Sequence, residues 1–409
     1  MKRLSIILLA SATAFSCSSP KEKAPQIRNI ASKESIHEQN LKILSSIPLL
    51  KGVEVKTRDE DSIAASLVEI FNKIADENKN SNQSLNRGTH AKGSCFNGQI
   101  QVYSKDDLKS KFSYPGNYAD ALLQGVFSFK GTYPIQIRFA NAKGGRFPDT
   151  ANDVRALSFS METSNEIFDY SGKNRLDFMM NSSPMFAVNN IVEFYELMKA
   201  ARLGQKDFSY FPNPLYLQST IRAANLLKTY ERNDIKSYTT EMYWGNLPYL
   251  SGVNENGTAK HFVKYRVIPC NGKGIQKEAS AGKSATYLQD DIKAKVEKNE
   301  VCFYLQAQVF DLKKLSNTAI GPQKRWSTSQ WIENGGAEWD EKVLPFYTLA
   351  KIEVPKTLNE NIDSDELCKE NYINTRLHAT SANRPVGSLA RVRTFVEENS
   401  RARRMGEID

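Results

Sequence analysis

Between residues 96 and 354 the chain returns repeatedly to short apolar runs closed by Gly, Pro, Asn or Asp. Residues 96–103, 133–139, 156–161, 261–268, 301–310 and 346–354 are runs of this kind. Their length, their β-branched and aromatic content and their bounding turn formers predict strands. Along residues 301–310 the alternation is imperfect, as in a barrel wall with one wet face. Helical periods stand around and between these runs. Residues 61–77 place Ile63, Leu67, Ile70, Phe71 and Ile74 on one face. Residues 190–203 do the same with Ile191, Phe194, Tyr195 and Met198. Residues 214–231 form another helix and residues 34–47 a weaker one. The last spans 388–404, with Gly406 as its stop. Strands dominate the middle and helices flank it, so the class is α+β. There is no internal repeat and no apolar stretch long enough to cross a bilayer after the leader.

The start of the chain is a targeting segment. Lys2 and Arg3 form a charged start, residues 4–15 are apolar but short, and Ser16-Cys17-Ser18 ends them. Residues 1–17 resemble a bacterial lipoprotein signal peptide with Cys17 retained as the acylated first residue. An ordinary secretory leader is the alternative, and both place the protein in the cell envelope, lipid-anchored or secreted to the periplasm. Several acyl chains on one Cys hold a membrane surface well. Residues 18–57 are expected as a polar tether with a short helix, and residues 58–409 as the functional domain. In an oxidising envelope Cys95, Cys270, Cys302 and Cys368 can pair in three ways, and their spacing does not choose. The net charge is +9, about +7 without Lys2 and Arg3. The basic residues are scattered, with only Arg401-Ala-Arg403-Arg404 dense, and no recognition motif accompanies them. Nucleic acid is therefore not an expected partner.

The chain has four His. One lies in Arg87-Gly-Thr-His90-Ala-Lys-Gly93, just before the first strand. Three further elements follow in order: Arg138-Phe139, then Asn181-Ser-Ser-Pro184-Met-Phe186, then Arg384-Pro-Val-Gly-Ser-Leu-Ala-Arg391-Val-Arg393. Each alone is ordinary. His90 can be structural, Asn181 can be a turn former before Pro184, and Arg138-Phe139 can be plain strand residues. His37, His261 and His378 read as surface or structural residues.

As an ordered set, from about Arg58 to the C-terminus, these elements resemble the haem catalases. They are most similar to the short catalase-related branch that includes the allene oxide synthase-like proteins. The resemblance implies a closed antiparallel β-barrel with flanking helices, a b-type haem, and hydrogen peroxide or a small organic hydroperoxide as substrate. It leaves room for an oligomer. His90 matches the distal base that shifts a proton between peroxide oxygens, and Asn181 its polar partner. Arg87 and Arg138 match the arginines that neutralise the haem propionates. Thr89, Phe186 and Arg393 complete the implied cofactor contacts, and Asp153-Val-Arg155 resembles the family's Asp-Pro-Arg-Gly segment.

Three positions depart from the pattern. Ala140 stands where catalases carry a Ser that hydrogen-bonds the distal His. Ala187 replaces a second Phe. Glu397, four residues after Arg393, occupies the place of the iron-ligating Tyr, and no Tyr follows Tyr372. Glu397 is either an anionic oxygen ligand to the haem iron or a solvated helix Glu paired with Arg393 at i,i+4. The alternatives to an envelope haem enzyme are a catalase-like binding protein with weakened or lost haem and no redox activity, and an anchored scaffold.

Overall fold

The computed structural model describes residues 34–78, 87–114, 116–145, 147–202 and 217–408. In chain order the elements are α1 (Ile36–Ser46), α2 (Glu60–Glu77), β1 (Gly93–Val102), α3 (Lys105–Phe112), α4 (Gly116–Leu122), β2 (Gly131–Asn141), β3 (Arg155–Glu162), β4 (Arg175–Asn181), α5 (Ile191–Arg202), α6 (Leu217–Tyr230) and β5 (Tyr243–Trp244). They continue with β6 (Tyr249–Val253), β7 (Ala259–Pro269), α7 (Tyr287–Glu297), β8 (Cys302–Val309), α8 (Leu312–Thr318), α9 (Thr328–Glu333), β9 (Phe346–Glu353), α10 (Ser364–Glu370) and α11 (Ser388–Arg404).

Eight strands close a ring in the order β1-β2-β3-β4-β5-β7-β8-β9, every neighbouring pair antiparallel. Two-residue β5 closes it by bridging Asn181 of β4 and the C-terminal half of β7. The N-terminal half of β7 carries β6 as a further strand outside the ring. The period of two explains the interior. Ile135, Ile137 and Phe139 of β2 stand opposite Met161, Phe159 and Leu157 of β3. Those residues in turn face Leu176, Phe178 and Met180 of β4. All nine are buried and belong to one apolar cluster filling the lumen, with Phe159 and Phe178 stacked at 4.6 Å. Each such side chain contributes about 1.5–3 kcal/mol by leaving water. The barrel is thus a packed core, and any ligand space must lie outside its wall.

The alternate residues of β2, β3 and β4 point outward, toward a layer formed by α2, α5 and α11. Leu67, Ile191, Phe194, Leu389 and Val392 hold these three helices together. Gly387, at φ 99°, leads into α11 and Gly406, at φ 69°, ends it, a left-handed conformation that side chains disfavour.

The compact unit begins at Ser35, not at residue 58. Helix α1, with a Ser35/Glu38 capping box, buries Leu44 and Ile47 against Tyr372 and Leu377. Leu50 and Val53 pack with Leu250 and Trp331. Glu54 meets Arg384 at 2.9 Å, Arg391 at 3.0 Å and Arg376 at 3.3 Å in a buried cluster. Apolar and ionic packing therefore bind the stretch read as a helix-bearing tether to the body. The disulfides are Cys95–Cys368 and Cys270–Cys302.

Candidate functional site

A cavity of about 360 Å³ lies between the outer wall of β2–β4 and the helices α2, α5 and α11, within the range of small-molecule sites. Strand register builds its wall in two rows. Arg138, Ser158 and Met179 stand opposite one another across β2, β3 and β4, and Ala140, Ala156 and Asn181 form the next row. The segment before β1 delivers Arg87, Thr89 and His90 to the same cavity, and Phe186, Arg393 and Glu397 also line it. Every site residue expected from the sequence within the described residues is thus brought to one place. Cys17 lies outside them.

The loop before β1 is held in a specific shape. His90 sits at φ 56°, a left-handed conformation that costs a non-glycine residue about 1–3 kcal/mol and needs support from its surroundings. That support is visible: its N–H donates to the Ala142 carbonyl at 2.9 Å, and its own carbonyl accepts from Arg138 Nη2 at 2.6 Å. Gly93 is required at the end of this loop. A Cβ there would lie 2.6 Å from both Arg138 Nη2 and the Phe139 carbonyl.

Burial pushes the His90 imidazole down to about 3, and the cations Arg138, Arg393 and Arg87 push the same way. His90 is therefore neutral through the physiological range and can accept a proton. Its buried Nδ1 has no hydrogen-bond partner. Ala140, on the same cavity wall, offers no hydroxyl. Asn181 Oδ1 accepts from the Ser183 N–H at 3.0 Å, so its amide hydrogens remain for a guest.

Arg393 on α11 touches the Met179 sulfur of β4, lies 5.7 Å from the Phe186 ring centre, and reaches Glu397 at 3.6 Å. The Thr375 N–H donates to Glu397 Oε2 at 3.3 Å, while Oε1 lacks a hydrogen bond. Burial raises the Glu397 carboxyl to about 7, against the opposing pull of Arg393 and Thr375. The i,i+4 pair expected from the sequence is present. Glu397, however, is a cavity residue and not a solvated one, because α11 turns this face onto the barrel.

Arg404 and Tyr372 are among the cavity residues that the sequence reading did not name as site residues. Arg404 is partly buried, donates to the Ser400 and Lys369 carbonyls, and is pushed down to about 10 by desolvation. Its i+7 spacing from Glu397 on one helix face was the available signal. Tyr372 donates its hydroxyl to buried Glu398 at 2.6 Å. His378 is a structural histidine, bound to Asp177 at 2.8 Å, and His37 reaches Glu398 at 3.3 Å.

Solved structures resemble this chain. Catalase A from Saccharomyces cerevisiae matches with a TM-score of 0.58 and 17% identity over 88% of this chain and 68% of that one. A fungal catalase matches with 0.57 and 16% over 79% and 60%. A bacterial catalase matches with 0.55 and 16% over 88% and 64%. The fold is that of the catalases. The chain spans roughly three fifths to two thirds of their length. No family model and no curated protein matches it.

Proposed function

We propose that this chain is a catalase-related haem protein of the cell envelope, of the short branch, acting on hydrogen peroxide or small organic hydroperoxides. The observation that carries the reading is the convergence of His90, Asn181, Arg393 and Glu397 on one cavity outside a filled barrel. The lining suits a flat apolar dianion. Phe71, Phe186, Phe194 and Met198 supply apolar faces, and Arg87, Arg138 and Arg404 supply charge for two carboxylates. Among the described residues Arg87 bonds the Cys368 and Asn371 carbonyls and no carboxylate pairs with it, which leaves its charge for a guest. The hydrogen-bond-free oxygen of Glu397, 3.6 Å from Arg393, would be the donor atom for iron.

Bound there, haem would supply the electron exchange with peroxide. Asn181 positions the peroxide through its amide hydrogens. His90 takes a proton from one peroxide oxygen and returns it to the other. Arg393 and the Thr375 N–H favour the ionised form of Glu397. The missing partner of His90 and the carboxylate in place of a phenolate predict slow hydrogen peroxide turnover. The test compares hydrogen peroxide with cumene hydroperoxide in wild type and His90→Ala. Fast oxygen evolution, abolished in the variant, overturns the substrate preference, and equal rates in both proteins overturn the role of His90.

A second reading has its own support. Glu397 at about 7 is only half ionised at neutral pH, so haem can be weakly held and the protein a binder without redox chemistry. The envelope assignment rests on the Ser16-Cys17 junction, with the two disulfides suited to an oxidising compartment. Mass spectrometry of the native N-terminus tests it: acylated Cys17 is expected, and an unmodified terminus at another residue rejects lipidation.

A further inference from the structure

Among the described residues no carboxylate holds Arg87 or Arg404 where they reach the cavity, although both are partly buried. Their partners are carbonyl oxygens at the end of one short helix. Arg87 Nη2 donates to the Cys368 carbonyl at 3.1 Å and to the Asn371 carbonyl at 2.5 Å. Arg404 Nη1 lies 3.5 Å from the Lys369 carbonyl. These are orphan carbonyls of the last turn of α10, the negative end of the helix. A seven-residue helix does not hold its shape alone. Helix α10 is fixed to the barrel by one covalent bond, Cys95–Cys368, and by the Cys95 N–H donating to Ser364 Oγ at 2.9 Å. Cys95 itself stands opposite Arg138 in the β1–β2 register.

We propose that the Cys95–Cys368 disulfide is the positioning element of the cavity's cationic end: it pins α10 to β1 so that the helix's terminal carbonyls hold Arg87 and Arg404 in place for an anionic group. Cys95 and Cys368 touch no reacting atom and act through these arginines. Without the bond, α10 is tied to the barrel mainly by side-chain and backbone hydrogen bonds. Each guanidinium–carbonyl contact is then intermittent, and the cost of ordering the cation falls on ligand binding. The other disulfide, Cys270–Cys302, joins β8 to the end of β7 across another pocket and has no contact with either arginine. It is the internal control.

The ligand-binding part of this inference rests on the haem reading, and the structural part does not, so the experiment reads both. Amide hydrogen exchange is measured on the full chain for wild type, Cys95→Ser/Cys368→Ser and Cys270→Ser/Cys302→Ser. Haemin titration is run in parallel. The first double variant is expected to exchange faster across residues 87–93 and 364–372, and to bind haemin roughly tenfold more weakly, the loss of one charge-assisted hydrogen bond. The control variant keeps wild-type exchange in both segments. If the first variant does not fold, the Cys270→Ser/Cys302→Ser protein with and without a phosphine reductant isolates the Cys95–Cys368 bond and gives the same comparison. Unchanged exchange in residues 87–93, or equal effects of both double variants, overturns the proposal. If no protein binds haemin but the exchange pattern is as described, the clasp stands and the haem reading falls.

Discussion

Glu397→Gln is the substitution whose effect can be worked furthest from the structure. Burial holds the Glu397 carboxyl near 7 instead of the ordinary 4.5. In the folded protein it therefore binds a proton more tightly than in the unfolded chain. The linkage runs against stability as pH rises: there is no penalty well below 4.5, a growing one between 4.5 and 7, and a full one above 7, worth about 3 kcal/mol. Gln carries no such penalty. Relative to wild type, the haem-free variant should gain about 2–3 kcal/mol between pH 5 and pH 8. Glu241 and Asp153 are also raised by burial, each to about 6, but they titrate in both proteins and cancel in the difference. Urea unfolding of both proteins at the two pH values measures it. With haem bound, the sign reverses, because a cation at the carboxylate favours the ionised form and Gln cannot replace it. A variant-minus-wild-type stability independent of pH would refute the argument that Glu397 is a desolvated cavity carboxyl.

Glu54→Ala should destabilise by about 3–5 kcal/mol by stranding three buried guanidinium groups, as measured by urea unfolding at pH 7. Glu54 is held near 2 despite its burial, chiefly by Arg384 and Arg376. Its contribution is complete above about pH 4.5 and should be lost as pH falls toward 2, so the gap between the two proteins closes in acid. Ala140→Ser should give the buried His90 Nδ1 a partner and raise stability by about 1 kcal/mol. It should also raise peroxide turnover; unchanged values for both would mean that the hydroxyl does not reach the ring.

Much of this architecture is readable from residue order. Helix α11 has the bounds its periodicity predicts, because its start and stop are both glycines in left-handed backbone. Strand β4 was missed although Leu176, Phe178 and Met180 alternate inward, because Arg175 and Asp177 look like surface residues. They are instead paired with each other at 2.7 Å, and Asp177 is covered by Asn374 and His378. Helix α7 was missed for a related reason: only Leu288, Ile292 and Val296 mark its buried stripe among charged neighbours. The order of the site motifs pointed to one cavity, but the carbonyl cage around Arg87 could not be read. It depends on closing a loop between cysteines 273 residues apart. The solvated alternative for Glu397 failed because i,i+4 spacing says which residues pair on a helix and not which face is covered.

The central proposal is that this cavity would hold haem through helix-borne Glu397, with neutral His90 in the same cavity. The most direct measurement is titration of the haem-free protein with haemin, followed by visible absorbance, for wild type and Glu397→Tyr. Arg393 lies one turn away to hold a phenol ionised. The account predicts one haemin per chain in wild type, binding that strengthens as pH rises through 7. In the variant it predicts tighter binding at the same one-per-chain stoichiometry and a shift to a phenolate-ligated ferric spectrum. No saturable binding in either protein, or wild-type binding indifferent to pH and unchanged in the variant's spectrum, would contradict it.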